Sequence, residues 1–214
     1  MKRFLSYLWP DTKRFYSEIN GTLEVTYIDG KKLLDTENAN YSYGSLQKIL
    51  EFGVSKVDLN SMENILILGM GGGSIIQSLR EKFNYEKNIV AVEIDPKVIQ
   101  IAAKEFEITE FENQKIIQED AFKYVENSSE VFQLIIIDIF VDLDVPNKFF
   151  EKEFCHNVSK LIDKNGFFIF NIGVNLNAET DKSKDIISHF GDSFEITTYP
   201  EVNKTNYLLI GRKL

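Results

Sequence analysis

The sequence predicts an α/β protein. It would be a Rossmann-like, mostly parallel sheet of seven strands with a C-terminal antiparallel hairpin, preceded by a small N-terminal antiparallel β unit. Three observations predict it. The run Asn64-Ile-Leu-Ile-Leu68 is apolar and ends in a glycine-rich turn, and Ile75, Ile76, Leu79 and Phe83 follow at helical spacing. That order reads as a buried strand, a tight turn and a helix. From there strand-like and helix-like segments alternate, the pattern of a parallel sheet with helices on both faces. Two last strands, at 194–199 and 207–211, are separated by too few residues for a crossover helix, so they should pair antiparallel.

Taken in order, residues 1–20 have no clear period, although Leu5, Leu8 and Trp9 suit a packed turn or a contact between copies, which would allow a homodimer. Residues 22–28 alternate, with Leu23, Val25 and Tyr27 on one face. Asp29-Gly30 predicts a two-residue hairpin, because a type I′ turn needs positive φ at both central positions. Residues 31–34 return as the second strand. The expected division is a β unit over 1–42 and the main domain over 43–214. A helix is expected over 41–52, ended by Gly53. Strand 88–94 closes with Glu93-Ile94-Asp95-Pro96, where Asp95 suits a helix cap and Pro96 the first helical position. Further strands are expected at 115–118, 132–137 and 167–172, and helices at 74–83, 120–125, 149–162 and 178–190. Asn165-Gly166 should be a turn, and Ser74 a helix N-cap.

Bulk properties exclude several classes. The chain has 214 residues and a net charge of −9, which repels phosphate backbones and argues against nucleic-acid binding. The same charge admits a small cationic acceptor. Cys155 is the single cysteine and there are two histidines, so neither an internal disulfide nor a Cys/His zinc site can be built. No metal is expected. Cys155 and His156 are helix neighbours that point apart, so they make no nucleophile–base pair. The basic-then-apolar N-terminus is too short for a signal peptide and is followed by Pro10-Asp11. No stretch reaches the ~20 apolar residues of a membrane span, so the expectation is a cytoplasmic protein without membrane partners.

Chemistry should gather at the carboxyl ends of the strands, where open α/β sheets bind ligands. Gly69, Gly71 and Gly73 would let a ligand lie against backbone. Glu93 stands twenty residues after Gly73 and could accept two ribose hydroxyls. Ile94 follows it. Asp120 could accept from an adenine amino group, with the Ala121 N–H reading a ring nitrogen, or it could cap the next helix. Asp138 closes an apolar strand, where a charge is costly unless paired or used; it could orient or deprotonate a nucleophile. Asn171 ends the next strand. No Gly-Lys-Ser/Thr follows the turn, so it is not a Walker A loop. The spacing Gly69-x-Gly71-x-Gly73 fits the dinucleotide pattern poorly and resembles the turn of class I S-adenosylmethionine-dependent methyltransferases.

Over residues 20–172 the chain resembles the spermidine synthase superfamily, a branch of that methyltransferase fold. The resemblance rests on Asn20-Gly-Thr-Leu-Glu-Val, Leu66-Ile-Leu-Gly-Met-Gly-Gly-Gly-Ser74, Val92-Glu-Ile-Asp-Pro96, Glu119-Asp-Ala121 and Leu134-Ile-Ile-Ile-Asp138. It implies that Glu93 and Asp120 bind the ribose and adenine of the cofactor, and that Asp138 deprotonates an attacking amine. It also exposes departures. Gly72 stands where the family keeps a substrate-contacting aspartate, Val141 replaces a second acid, and Asp142 comes one residue late. Tyr43-Gly44-Ser45 stands for the family's Tyr-His-Glu. The branch resembled is the spermidine synthase-like one.

The expected function is therefore a transferase that binds S-adenosylmethionine or a close analogue and moves a methyl group to a small nucleophile. Tyr43, Asp142 and Asn171 are candidate substrate contacts. One alternative is aminopropyl transfer in polyamine biosynthesis from decarboxylated S-adenosylmethionine. Another is a non-catalytic nucleoside-binding module; methylthioadenosine is a further candidate for the cofactor site. A nicotinamide-dependent enzyme suits Glu93 but not the glycine spacing.

Overall fold

The protein is described here by a computed structural model covering residues 10–36, 40–141, 144–174 and 181–214. Two sheets organise it. The first has strands β1 (Asp11–Ser17), β2 (Gly21–Ile28), β3 (Lys31–Thr36) and β4 (Asn40–Ser42), all antiparallel in chain order. The Asp29-Gly30 hairpin forms as expected, with φ of 49° and 72°. Strand β1 was not predicted. It is mostly exposed and carries no alternating apolar face, so its pairing with β2 is its main support. Leu5, Leu8 and Trp9 lie outside the described residues.

The second sheet contains β5 (Asn64–Leu68), β6 (Asn88–Glu93), β7 (Gln114–Gln118), β8 (Phe132–Ile137), β9 (Ile162–Val174), β10 (Phe194–Val202) and β11 (Asn206–Lys213). Its order is β10-β11-β9-β8-β5-β6-β7. The five strands from β7 to β9 are parallel, and β11 and β10 complete the sheet antiparallel. The chain leaves β5 toward β6 and β7, then crosses back to lay β8 on the other side of β5. The reversal falls between β5 and β8, so their carboxyl ends, Gly69 and Asp138, flank the switch point.

Alternate residues of the central strands face opposite cores. Ile65 and Ile67 of β5 pack with Ile49 and Leu50 of α1 (Gly44–Val54) and Ile76 and Leu79 of α2 (Ser74–Glu81). Leu66 and Leu68 face the opposite layer, which includes α4 (Ala121–Asn127), α5 (Lys152–Leu161) and α6 (Asp181–Phe190). Helix α3 (Pro96–Phe106) carries the first sheet, through Val98 and Ile101 against Leu23, Val25 and Leu34. Asp95 joins the two units. It is 1% exposed, caps α3 by accepting from Lys97 N, and also accepts from Ser17 Oγ and, at 2.7 Å, from Asn20 Nδ2.

Three local expectations are corrected. Gly53 does not end its helix; it lies inside α1, where a β-carbon would meet Ile169 Cγ2 at 2.8 Å, so the glycine serves close helix–sheet packing. Gly73, in the left-handed conformation, is the N-cap of α2, and Ser74 is its first helical residue. Asn165-Gly166 does not end a separate segment. Asn165 has φ of 63°, and β9 runs through it with a register shift against β8.

Candidate functional site

A cleft of about 300 Å³ opens over the switch point, within the range of small-molecule sites. Gly69, Gly71, Glu93, Ile94, Asp120, Ala121 and Asp138 all line it. The first sheet covers one side with Ile19, Asn20 and Ser42, and α1 contributes Ser45, Leu46, Ile49 and Leu50.

The glycine turn is built by backbone. Gly69 N and Met70 N both donate to Val92 O at 3.0 Å, and Gly73 N donates to Met70 O at 3.0 Å. Glu93 completes it: Oε2 accepts from Gly71 N at 2.9 Å and Oε1 from Asp95 N at 3.0 Å. Glu93 is 4% exposed. Burial pushes its carboxyl upward from the ordinary range, while the backbone donors of Asp95, Gly71 and Ile94 oppose that shift. Three backbone donors leave about one of the four lone-pair sites of the carboxylate for a ligand. Ile94 is 44% exposed, an apolar side chain on the cleft wall. Gly73 is part of the turn, where a β-carbon would meet Ile108 Cγ1 at 2.7 Å, but it does not line the cleft.

Asp120 holds two partners. Oδ1 caps α4 by accepting from Phe122 N at 2.8 Å, and Oδ2 accepts from Lys148 Nζ at 2.6 Å. Burial raises the Asp120 pKa, but these bonds and the Lys148 charge outweigh it and the net shift is downward. Lys148, over the ring of Phe149 at 4.9 Å, is a cleft residue that the sequence reading missed. A lone lysine in a 3-10 turn carries no pattern that would single it out.

Asp138 follows β8, and its main-chain N donates to Leu68 O at 2.9 Å. Its side chain touches the cleft yet is largely desolvated, and burial pushes its pKa up to about 7 against the single hydrogen bond from Asn171. Asn171 is fully buried; Nδ2 donates to Asp138 Oδ1 at 2.8 Å, and Oδ1 accepts from Asn206 Nδ2 at 2.9 Å. Asn171 therefore supports Asp138 and does not line the cleft. Thr205 and Asn206 do line it, and neither was foreseen. Tyr43 also stands behind the wall. It is 7% exposed, stacks on Phe106 at 4.4 Å and donates to Gly72 O at 3.1 Å. Asp142 lies outside the described residues. Among the described residues no cluster of His, Cys, Asp and Glu could hold a metal ion, and no helix is long and apolar enough to cross a membrane.

The family model of the spermine/spermidine synthase domain matches residues 48–207. The polyamine aminopropyltransferase of Vibrio vulnificus is 31% identical over 112 residues, 51% of this chain and 37% of that protein. That of Thermoplasma acidophilum is 31% identical over 151 residues, 68% of this chain and 53% of that protein. The eEF1A lysine and N-terminal methyltransferase of Xenopus laevis is 29% identical over 119 residues, 51% of this chain and 17% of that protein. Each match thus spans well under two thirds of the relative's length. Among solved structures, human methyltransferase-like protein 13 in complex with SAH superposes with a TM-score of 0.67 at 20% identity, covering 80% of this chain and 83% of that one. Spermidine synthase from Thermotoga maritima gives 0.59 at 19% identity, covering 95% and 69%. These two likenesses show a shared Rossmann-like methyltransferase fold.

Proposed function

The chain belongs to the spermine/spermidine synthase domain family, and from that premise we propose that it transfers an aminopropyl group from decarboxylated S-adenosylmethionine to a small amine. The carrying observation is the charge of the cleft. Glu93, Glu119, Asp120 and Asp138 line it, and among the described residues its only lining cation is Lys148, already paired with Asp120. A methionyl carboxylate would meet acids there, whereas a tail ending in an ammonium suits them. This favours the aminopropyl alternative over the methyl transfer expected from the sequence, as do the names of the relatives.

The residues fit such a nucleoside. The acceptor site that Glu93 keeps suits a ribose hydroxyl, Ile94 offers an apolar face to a purine, and Ala121 N stands at the start of α4. Asp120 would contact an adenine amino group by sharing or releasing Lys148. The sulfonium supplies an electrophilic carbon and a neutral thioether leaving group. Asp138 takes the proton that the amine loses as the new C–N bond forms. Its desolvated setting brings its pKa near neutrality, where a carboxylate is an effective base.

Calorimetric titration tests this reading. Decarboxylated S-adenosylmethionine and methylthioadenosine should bind, the former at least tenfold tighter than S-adenosylmethionine. If no sulfur nucleoside binds, the reading falls. Tighter binding of S-adenosylmethionine would restore methyl transfer, the reading that the neutral Gly72 turn and the Xenopus laevis relative support.

A further inference from the structure

Four side chains form one hydrogen-bonded row across the carboxyl ends of β8, β9 and the β10–β11 hairpin. Thr205 Oγ1 donates to Asn206 Oδ1 at 2.8 Å, Asn206 Nδ2 to Asn171 Oδ1 at 2.9 Å, and Asn171 Nδ2 to Asp138 Oδ1 at 2.8 Å. The direction of the row follows from one backbone group. Gly173 N–H can only donate, and it lies 3.4 Å from Asn171 Oδ1. The Asn171 amide must then turn its nitrogen to Asp138, where a carboxylate needs a donor. Asn206 must in turn donate with Nδ2, which leaves its oxygen facing Thr205. The threonine hydrogen is committed to that oxygen.

The two amides are buried, at 0% for Asn171 and 5% for Asn206. The two ends, Thr205 and Asp138, line the cleft, and Asn206 borders it beside Thr205. With the donors running from Thr205 toward Asp138, Thr205 offers the cleft the lone pairs of its oxygen, and ionised Asp138 offers its other carboxylate oxygen. We propose that Thr205 Oγ1 is a substrate-binding residue that accepts an N–H of the acceptor amine, and that Asn206 and Asn171 are positioning residues that keep Asp138 a proton acceptor. The proposal rests on the amine-transfer reading of the cleft. In the step, the amine nitrogen bonds to the sulfonium-bound carbon, the carbon–sulfur pair leaves on sulfur, and the proton passes from nitrogen to Asp138. A reversed Asn171 amide would present oxygen to Asp138 and favour its protonated form. Among the described residues, the other ionisable groups lining the cleft are Glu93, Glu119, Asp120 and Lys148.

Two measurements test it. In steady-state kinetics with decarboxylated S-adenosylmethionine and butylamine or putrescine, Thr205→Val should raise the amine KM about five- to tenfold. Methylthioadenosine affinity should not change, and Thr205→Ser should restore KM. An unchanged amine KM in Thr205→Val overturns the contact. Carbon-13 NMR of the Asp138 carboxyl should show its titration moving up by about one unit in Asn206→Leu; if that variant does not fold, Asn206→Ala carries the same readout. An unmoved titration overturns the positioning role. The carboxyl titration needs no turnover, so it reads the row even where wild-type protein binds no methylthioadenosine and the amine-transfer reading fails.

Discussion

The main-chain oxygen of Asp138 lies 2.2 Å from the point that a β-carbon on residue 69 would occupy. Gly69 also has φ of 87°, so any side chain there is both strained and in collision with the neighbouring strand end. Gly69→Ala should destabilise the protein by about 2–4 kcal/mol and abolish nucleoside binding. Urea denaturation and calorimetry check this; near-normal values for both would show that the strand ends can separate freely.

Glu93 bridges Gly71 N and Asp95 N and keeps an acceptor site for a ligand. Glu93→Ala removes the bridge and the ribose contact together. Affinity for methylthioadenosine should fall by about 1–3 kcal/mol. Equal affinity in the variant would remove Glu93 from the binding site.

Asp138 sets two opposite pH dependences. As a base it must be ionised, so turnover should rise with pH and level off above about 7. Stability runs the other way. Burial raises its folded pKa from the ordinary aspartate range to about 7, so the native state binds the extra proton. The stabilising share of that proton is complete below the unfolded pKa and is lost as pH rises through the folded one. Asp138→Asn should abolish turnover, spare nucleoside affinity and flatten this part of the stability profile. Retained turnover would reassign the base.

Lys148 and Asp120 form a partly exposed pair, which contributes little to stability. Lys148→Met should cost less than about 1 kcal/mol and leave the fold intact. Freed of its partner, Asp120 Oδ2 should receive an adenine amino group more readily, tightening methylthioadenosine binding. Weaker binding would mean that the lysine itself holds the nucleoside.

Asp95→Ala tests the joint between the units. It removes a helix cap and strands the buried donor of Ser17 together with the part-buried donors Lys97 N and Asn20 Nδ2. The expected cost is about 2–4 kcal/mol, read by thermal or urea unfolding. Limited proteolysis should then cut first within residues 10–36. Unaltered stability would assign the joint to the apolar contacts of Val98 and Ile101.

Much of this was legible in the chain because it is local. The apolar run into Gly69, the Asp29-Gly30 hairpin and the Asp95-Pro96 cap each lie within a few residues. The acids at strand ends were equally visible, since a charge closing Leu134-Ile-Ile-Ile137 needs a reason. The remainder depends on pairing. Strand β1 has no apolar alternation of its own and exists through β2. Thr205 and Asn206 become neighbours of Asp138 only because β11 lies beside β9, an adjacency that no spacing between residues 138 and 206 encodes. Lys148 reaches Asp120 from a loop in the same way. Gly53 was read as a terminator because its packing partner, Ile169, is more than a hundred positions away.

Gly72 packs against the two residues that precede α1. The family resemblance places a substrate-holding aspartate at this position, and here a β-carbon would lie 3.1 Å from Ser42 Cβ, Ser42 Oγ and Tyr43 Cε2. Tyr43 is itself fastened by its bond to Gly72 O and its stack on Phe106. An acid at position 72 would therefore press on Ser42 and Tyr43, each of which would have to give by a few tenths of an ångström. The turn and the tyrosine thus form one packed unit, and a side chain added to the one is felt at once by the other.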